Sequence, residues 1–197
     1  INGPWADGTA IDITLRISCV QLEQGAFPTS YIPTFGAAAT RATDVCMTAN
    51  MSWLDQNAGG TIYCESINGA LTSDRRMLNI GDDTSANRIV IAHGASARTS
   101  FSSGFNGLGV NAAGTSKPTQ LRQLLKDAYR FSPASSRYSA DGGLSTTSTG
   151  FAAPLTAATS MRLGTGHSNV APLCGWLRCF RYYAEQLTDA QLQELTT

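Results

Sequence analysis

Charge is what this sequence has least of. Asp, Glu, Lys and Arg make up 14% of its 197 residues and cancel to a net charge of zero, against about a quarter in an ordinary soluble domain. Binding nucleic acid through its phosphates needs clustered Lys and Arg, so no nucleic-acid partner is expected. No stretch approaches the roughly 20 apolar residues of a membrane span, so no membrane insertion is expected. No charged region leads into an apolar one at the start of the chain, so no signal peptide is expected. The histidines, His93 and His167, are too few for a metal cluster or a triad and read as turn or edge residues. The cysteines, Cys19, Cys46, Cys64, Cys174 and Cys179, lack the CxxC pairs of a zinc site and read as buried free thiols, which fits a reducing cytoplasm. GxSxG is missing, and Gly164-x-Gly166 lacks the third glycine and the helix of a dinucleotide loop.

What remains is Ser, Thr, Asn, Gln and Gly around short apolar runs, a composition suited to short strands and many turns. The length allows a sizeable core in one β-sandwich. Val45–Met51, Gly60–Ile67, Met77–Ile80, Arg88–His93 and Phe105–Val110 read as strands, with hairpin turns at Asn68-Gly69, Asn106-Gly107 and Asp141-Gly142. Ile62, Cys64 and Ile67 are expected inward with Tyr63 and Glu65 outward, and Ile89 and Ile91 on the core side. Trp53 and Trp176 read as core. Thr119–Tyr129 is ambiguous: Leu121, Leu124, Leu125 and Ala128 have helical spacing, yet a sandwich needs a strand there. We take it as strand. Thr188 with Gln191 forms a capping box, and Leu187 with Leu192 a hydrophobic staple, so a short C-terminal helix is expected, held by Leu192 and Leu195.

The N-terminal part differs. Ile11–Leu22 alternates as a half-buried strand. In Gln21–Asp44, Pro28 and Pro33 fix φ and force Phe27 and Ile32 extended. Tyr31 and Ile32 between them are bulkier than a free tether needs, so they are expected to dock on a neighbouring domain or subunit. Gly36–Thr40 gives a low-bulk crossover.

Gln21–Asp44 resembles a junction of bacteriophage tail fibres and tailspikes. Met161–Gly164, Gly175–Tyr183 and Gln186–Leu195 resemble the close of a laminin-G-like domain of the concanavalin A-like lectin/glucanase class. The resemblance covers the linker and the last third of the chain, and the middle only as a strand rhythm. It implies an all-β antiparallel sandwich, a concanavalin A-like jelly roll, over residues 42–197. Residues 1–41 would be the last strand of a preceding module plus the extended linker. It also implies a homotrimer on a phage virion, made in the bacterial cytoplasm.

Enzymes of this class carry two glutamates flanking an aspartate on one strand, a spacing missing here, so no catalysis is expected. Binding residues are expected around Gly81–Asn87: Asp82, Asp83, Asn87 and Arg88, with Arg75 and Arg76 before the Met77–Ile80 strand and Tyr63 on the same side. These types hydrogen-bond sugars and stack on them. Asp82-Asp83 reads first as a turn, then as sugar or calcium ligation, and last as catalysis. No cofactor is expected beyond that calcium alternative. Two functions stay open: a receptor-binding module for bacterial surface carbohydrate, or a trimerising cap without a ligand.

Overall fold

Alternation of period two builds nearly everything observed in the computed structural model. It describes residues 14, 16–18, 20–23, 31–39, 44–69, 75–84, 88–94, 98–103, 110–114, 121–132, 135–145, 148–149 and 158–197; for 98–103, 110–114 and 148–149 only the backbone is described. The chain divides into two compact units, Ile1–Ala42 and Thr43–Thr197. In the first, the described residues of 11–22 have no strand assignment, and the backbone N–H of Ile32 donates to Gln21 Oε1 at 2.8 Å.

The second unit holds β1 (Cys46–Thr48), β2 (Gly60–Asn68), β3 (Arg75–Gly81), β4 (Arg88–His93), β5 (Arg98–Ser103), β6 (Val110–Gly114), β7 (Leu124–Phe131), β8 (Ser135–Ala140), β9 (Gly143–Leu144), β10 (Ser148–Thr149), β11 (Ser160–Leu163), β12 (Gly175–Tyr183) and α1 (Asp189–Thr196). The first sheet runs β1-β11-β3-β4-β5-β6 and the second β10-β8-β7-β2-β12, with β9 on β8. Between them lie Met77, Leu78, Ile80, Ile89, Ile91 and Met161 from the first sheet, and Ile62, Cys64, Tyr129, Phe131 and Tyr138 from the second. Each fully buried aliphatic or aromatic chain contributes roughly 1.5–3 kcal/mol. Among the described residues no helix is long and apolar enough to cross a membrane.

The strand reading of Thr119–Tyr129 holds from Leu124 onward. Arg122 has φ +55°, which breaks a helix, and β7 pairs in register with β2 from Ile67↔Leu124 to Gly60↔Phe131. Ladders on both sides outweigh the helical spacing. The Asp141-Gly142 hairpin joins β8 to β9 with φ of +42° and +72°, the left-handed pair of a type I′ turn. Asn106-Gly107 and most of Phe105–Val110 lie outside the described residues.

Helix α1 has the expected capping box on Thr188 and Gln191. It covers the outer face of the second sheet, packing Leu192 on Tyr63 and Ala128, with Leu187 and Leu195 alongside. At its end Thr196 Oγ1 lies 2.8 Å from Ser139 Oγ and accepts from Gly142 N at 3.1 Å.

Three expectations need correction. His93 is not an edge residue but wholly buried. Its Nε2 lies 2.9 Å from Asp127 Oδ2 and its Nδ1 3.0 Å from Asn68 Nδ2, while Tyr138 Oη donates to Asp127 Oδ1. Ile67 is half-buried on the Tyr63 side of β2, and Ser66 and Asn68 take the inner side. Of the cysteines described, all free, only Cys64 is fully buried and Cys46 is exposed on the edge strand β1.

His93 belongs to the first sheet and Asp127, Asn68 and Tyr138 to the second, so this network joins the layers. Asp127→Ala takes one shared acceptor from two buried donors. It should cost about 3–5 kcal/mol, read as the midpoint of chemical denaturation, whereas Tyr138→Phe should cost about 1–2 kcal/mol. A loss below about 1 kcal/mol for Asp127→Ala would remove the network as the tie between sheets.

Candidate functional site

The alternation that sends Leu78, Ile80, Ile89, Ile91 and Met161 into the core sends Arg76, Asn79, Arg88, Val90 and Arg162 to the opposite face of the first sheet. Asn79 stands at its centre, opposite Val90 of β4 on one side and Arg162 of β11 on the other. Arg76 stands opposite Ala92. Arg76, Arg88 and Arg162 are each under a tenth exposed and Asn79 not at all.

Arg162 clamps the border of this face. Its Nε and Nη2 donate to Asp83 Oδ1 and Oδ2, both at 2.9 Å, and its Nη1 donates to Asn169 Oδ1 at 2.8 Å. Asp83 also accepts from the backbone N–H of Ser168 at 3.1 Å. The turn at His167–Asn169 is thereby strapped to the loop after β3. A Cβ on Gly166 would lie 3.0 Å from Val170 O and 3.3 Å from Arg76 Cγ, so glycine lets the turn sit close over the arginine. Arg76 N also donates to Ala171 O at 2.9 Å.

Arg88 Nη1 donates to His167 Nδ1 at 2.5 Å. Desolvation, then the charges of Arg88 and Arg76, hold His167 below the ordinary imidazole value. Desolvation, then Arg76, lowers Arg88. The Arg162 bond holds the Asp83 carboxyl low. These guanidiniums feel one another.

Asn79 has no hydrogen-bond partner at either Nδ2 or Oδ1; elsewhere, on the second sheet, Ser66 Oγ and Ser136 Oγ are also buried without one. A buried polar group left unsatisfied costs about 1–3 kcal/mol, and a native protein that carries one invites an explanation.

The structure brings together only part of the expected set. Asp83 and Arg88 border this face. Asp82 makes a local turn, Oδ1 accepting from Thr84 N at 3.0 Å and Thr84 Oγ1 at 2.6 Å, and Asn87 lies outside the described residues. Arg75 points the other way: it is wholly buried and its Nη2 donates to Gly94 O at 2.7 Å. Tyr63 is on the second sheet under α1, 4% exposed, its hydroxyl donating to Glu65 Oε1 at 2.7 Å. Neither can reach a ligand with the loop. Trp53 packs edge-on against Phe180 and Tyr182 as expected of a core residue. Trp176 does not; it is 64% exposed, opposite Ile67 on the outer side of the edge strand β12. Arg162, Asn79 and the acceptor role of His167 were missed. The available signal was an arginine flanked by Met161 and Leu163, a charge on the non-core side of an apolar strand.

Chemically the site binds better than it catalyses. A general acid needs a carboxyl raised toward neutral pH, and Asp83 is pushed the other way by a bidentate arginine. That guanidinium also occupies both oxygens a calcium ion would use. Among the described residues no group of three or more His, Cys, Asp or Glu could hold a metal ion.

No family model and no curated protein matches the chain. Solved structures do. The CBM40 of a Ruminococcus gnavus IT-sialidase superposes with a TM-score of 0.61 at 17% identity, over 72% of this chain and 84% of that one. Domain 4 of AbnA, a GH43 extracellular arabinanase from Geobacillus stearothermophilus, gives 0.62 at 14% identity, over 79% and 82%. Mouse laminin alpha1 domains LG4-5 give 0.57 at 10%, over 74% and 40%. The fold is a concanavalin A- and laminin-G-like β-sandwich jelly roll, as the resemblance implied.

The His167 titration tests the site geometry. Because its folded value is depressed below about 6.5, the neutral ring contributes stability above that pH and loses it as pH falls through the folded value. NMR of His167 should give a midpoint below the ordinary one, moving upward in Arg88→Ala. A midpoint at or above the ordinary value would show that the arginines do not converge on it.

Proposed function

We propose that the second unit is a non-catalytic carbohydrate-binding module whose ligand lies over Asn79 on the outer face of the first sheet. The observation that carries this is the unpartnered Asn79 amide among Arg76, Arg88 and Arg162. Amides and guanidiniums held rigid by the sheet are the groups that fork onto sugar hydroxyls. Two of the structural neighbours support the class: the R. gnavus CBM40 is also seen bound to alpha2,3 sialyllactose, and AbnA domain 4 is in complex with arabinotriose.

In this reading the chain is a receptor-binding part of a phage tail fibre or tailspike, homotrimeric, carried on the virion and directed at bacterial surface glycan. Its support is the resemblance of Gln21–Asp44 and of the C-terminal segment. A second reading, a structural trimerising cap without its own ligand, is favoured by one observation. Trp176 is 64% exposed in the second unit, and Leu22 and Phe35 are 100% and 95% exposed in the first. Large apolar side chains in water suit a subunit contact.

Labelled protein should bind bacterial strains that carry their surface polysaccharide and not matched strains that lack it. Uniform absence of binding across a broad panel would end the glycan reading. For the cap, Trp176→Ala should lower the mass in solution, and an unchanged mass would remove Trp176 from any subunit contact.

A further inference from the structure

Resting on the reading of this face as the glycan site, we infer that residues 164–173 form a lid over it, closed in the state described and released by protonation of His167. Asn79 is not exposed at all, and Arg76, Arg88 and Arg162 are each under a tenth exposed, so a ligand reaches the amide only after something moves. Residues 166–171 touch all three arginines. His167 Nδ1 accepts from Arg88 Nη1 at 2.5 Å, and Asn169 Oδ1 from Arg162 Nη1 at 2.8 Å. Ala171 O accepts from Arg76 N at 2.9 Å, and Ser168 N donates to Asp83 Oδ1 at 3.1 Å. Ser168, Asn169 and Val170 are themselves exposed.

The segment is built to move as a unit. Leu173 N donates to Gly164 O at 2.7 Å and Gly166 N to Val170 O at 2.8 Å, which closes it at its base and across its middle, and Gly164, with φ +71°, is the hinge. Ser168, Asn169 and Ala171 have φ of +50°, +59° and +51°, a left-handed backbone that a Cβ disfavours. The closed form therefore stores strain, which the bonds to the sheet oppose. His167 is the catch that a proton can undo. A guanidinium has donors only, whatever else it bonds, so Nδ1 accepts from Arg88 only in the neutral ring. Protonation sets N–H against N–H. The charged groups facing the ring are Arg88 of β4, Arg76 of β3, Arg162 of β11 and Asp83 of the loop after β3; desolvation and the cations outweigh Asp83 and hold the ring below its ordinary value. In the open form the ring is solvated and takes a proton more readily. Acid therefore favours opening, over the interval between the ordinary value near 6.5 and the lower folded one.

The test follows the full chain by hydrogen exchange and by its association with immobilised dextran, galactan, mannan, alginate and purified bacterial lipopolysaccharide. From about pH 7.5 to about pH 5, exchange of the Ser168 and Arg76 amides, corrected for the intrinsic rate, should speed up at least about threefold. The Ile62 and Ile89 amides should stay protected, which separates opening of the lid from unfolding. The association rate with any polymer that binds should rise by a similar factor. His167→Gln, whose amide still accepts from Arg88 but does not titrate, should abolish the pH dependence of both. Asn169→Ala, which removes the bond to Arg162, should speed both at every pH and keep the pH dependence. Exchange that ignores pH, or a pH dependence that survives His167→Gln, would overturn the inference. So would association that slows as the segment loosens, since the segment would then hold the ligand and not bar it. Acid loosening with no binding to any polymer would overturn the glycan reading and the gating role with it, and leave the acid-released segment standing.

Discussion

The hydrogen bonds from His93 and Tyr138 to the Asp127 carboxylate are the tie on which the rest of the sandwich depends. The His93 bond crosses between the sheets at 2.9 Å and the Tyr138 bond holds the carboxylate from within its own sheet, where effective dielectric is low and a misaligned partner is expensive. They therefore specify register. With the His93 ring turned inward, Ile91 and Ile89 must face inward and Val90 and Arg88 outward. A slip of one residue in β4 would bury Arg88 in the apolar layer and expose the isoleucines. The outer face of the first sheet is thus fixed from behind by a network that never touches it.

The strands were legible because alternation is a local property, and so was α1, whose capping box is written in four consecutive residues. What lies over a face was not legible. Tyr63 sits outward on β2 as its pattern says, but α1, arriving 126 residues later, covers it. Trp176 has the apolar neighbours of a core residue, yet it stands opposite Ile67 on the outer side of β12. Arg75 looked like a surface arginine before a strand, and a register shift between Arg76 and Leu78 turned it to the interior. Arg162 and Asp83 are 79 residues apart, and no spacing rule reaches that far. Composition did carry a clue: in a chain with 14% charged residues, arginines inside apolar strands are a costly choice.

That cost bears on the choice between scaffold and site. A structural salt bridge explains Arg162, since Asp83 meets it on both oxygens and the joined loops gain order. It does not explain why the Asn79 amide is buried with nothing bonded to either end. A core built for stability would place apolar groups there. Destabilising features held by a rigid frame are typical of sites whose partner arrives later, and they lower stability until it does.

The two outer faces give the last step. On the second sheet, Tyr63 and Ala128 are covered by Leu192, with Leu187, Leu195 and Tyr183 around them, and Arg130 and Arg137 pair with Asp189 of the same helix, so that face already has its occupant within the chain. On the first sheet, the residues at the same depth are Arg76, Asn79, Arg88 and Arg162, bordered by the half-exposed His167 and Asp83. A polar face demands a polar occupant. Asn79 Nδ2 and Oδ1 both lack a partner, so an occupant would have to bring an acceptor and a donor. A polyhydroxylated ligand meets that demand in a way that another helix of this chain could not.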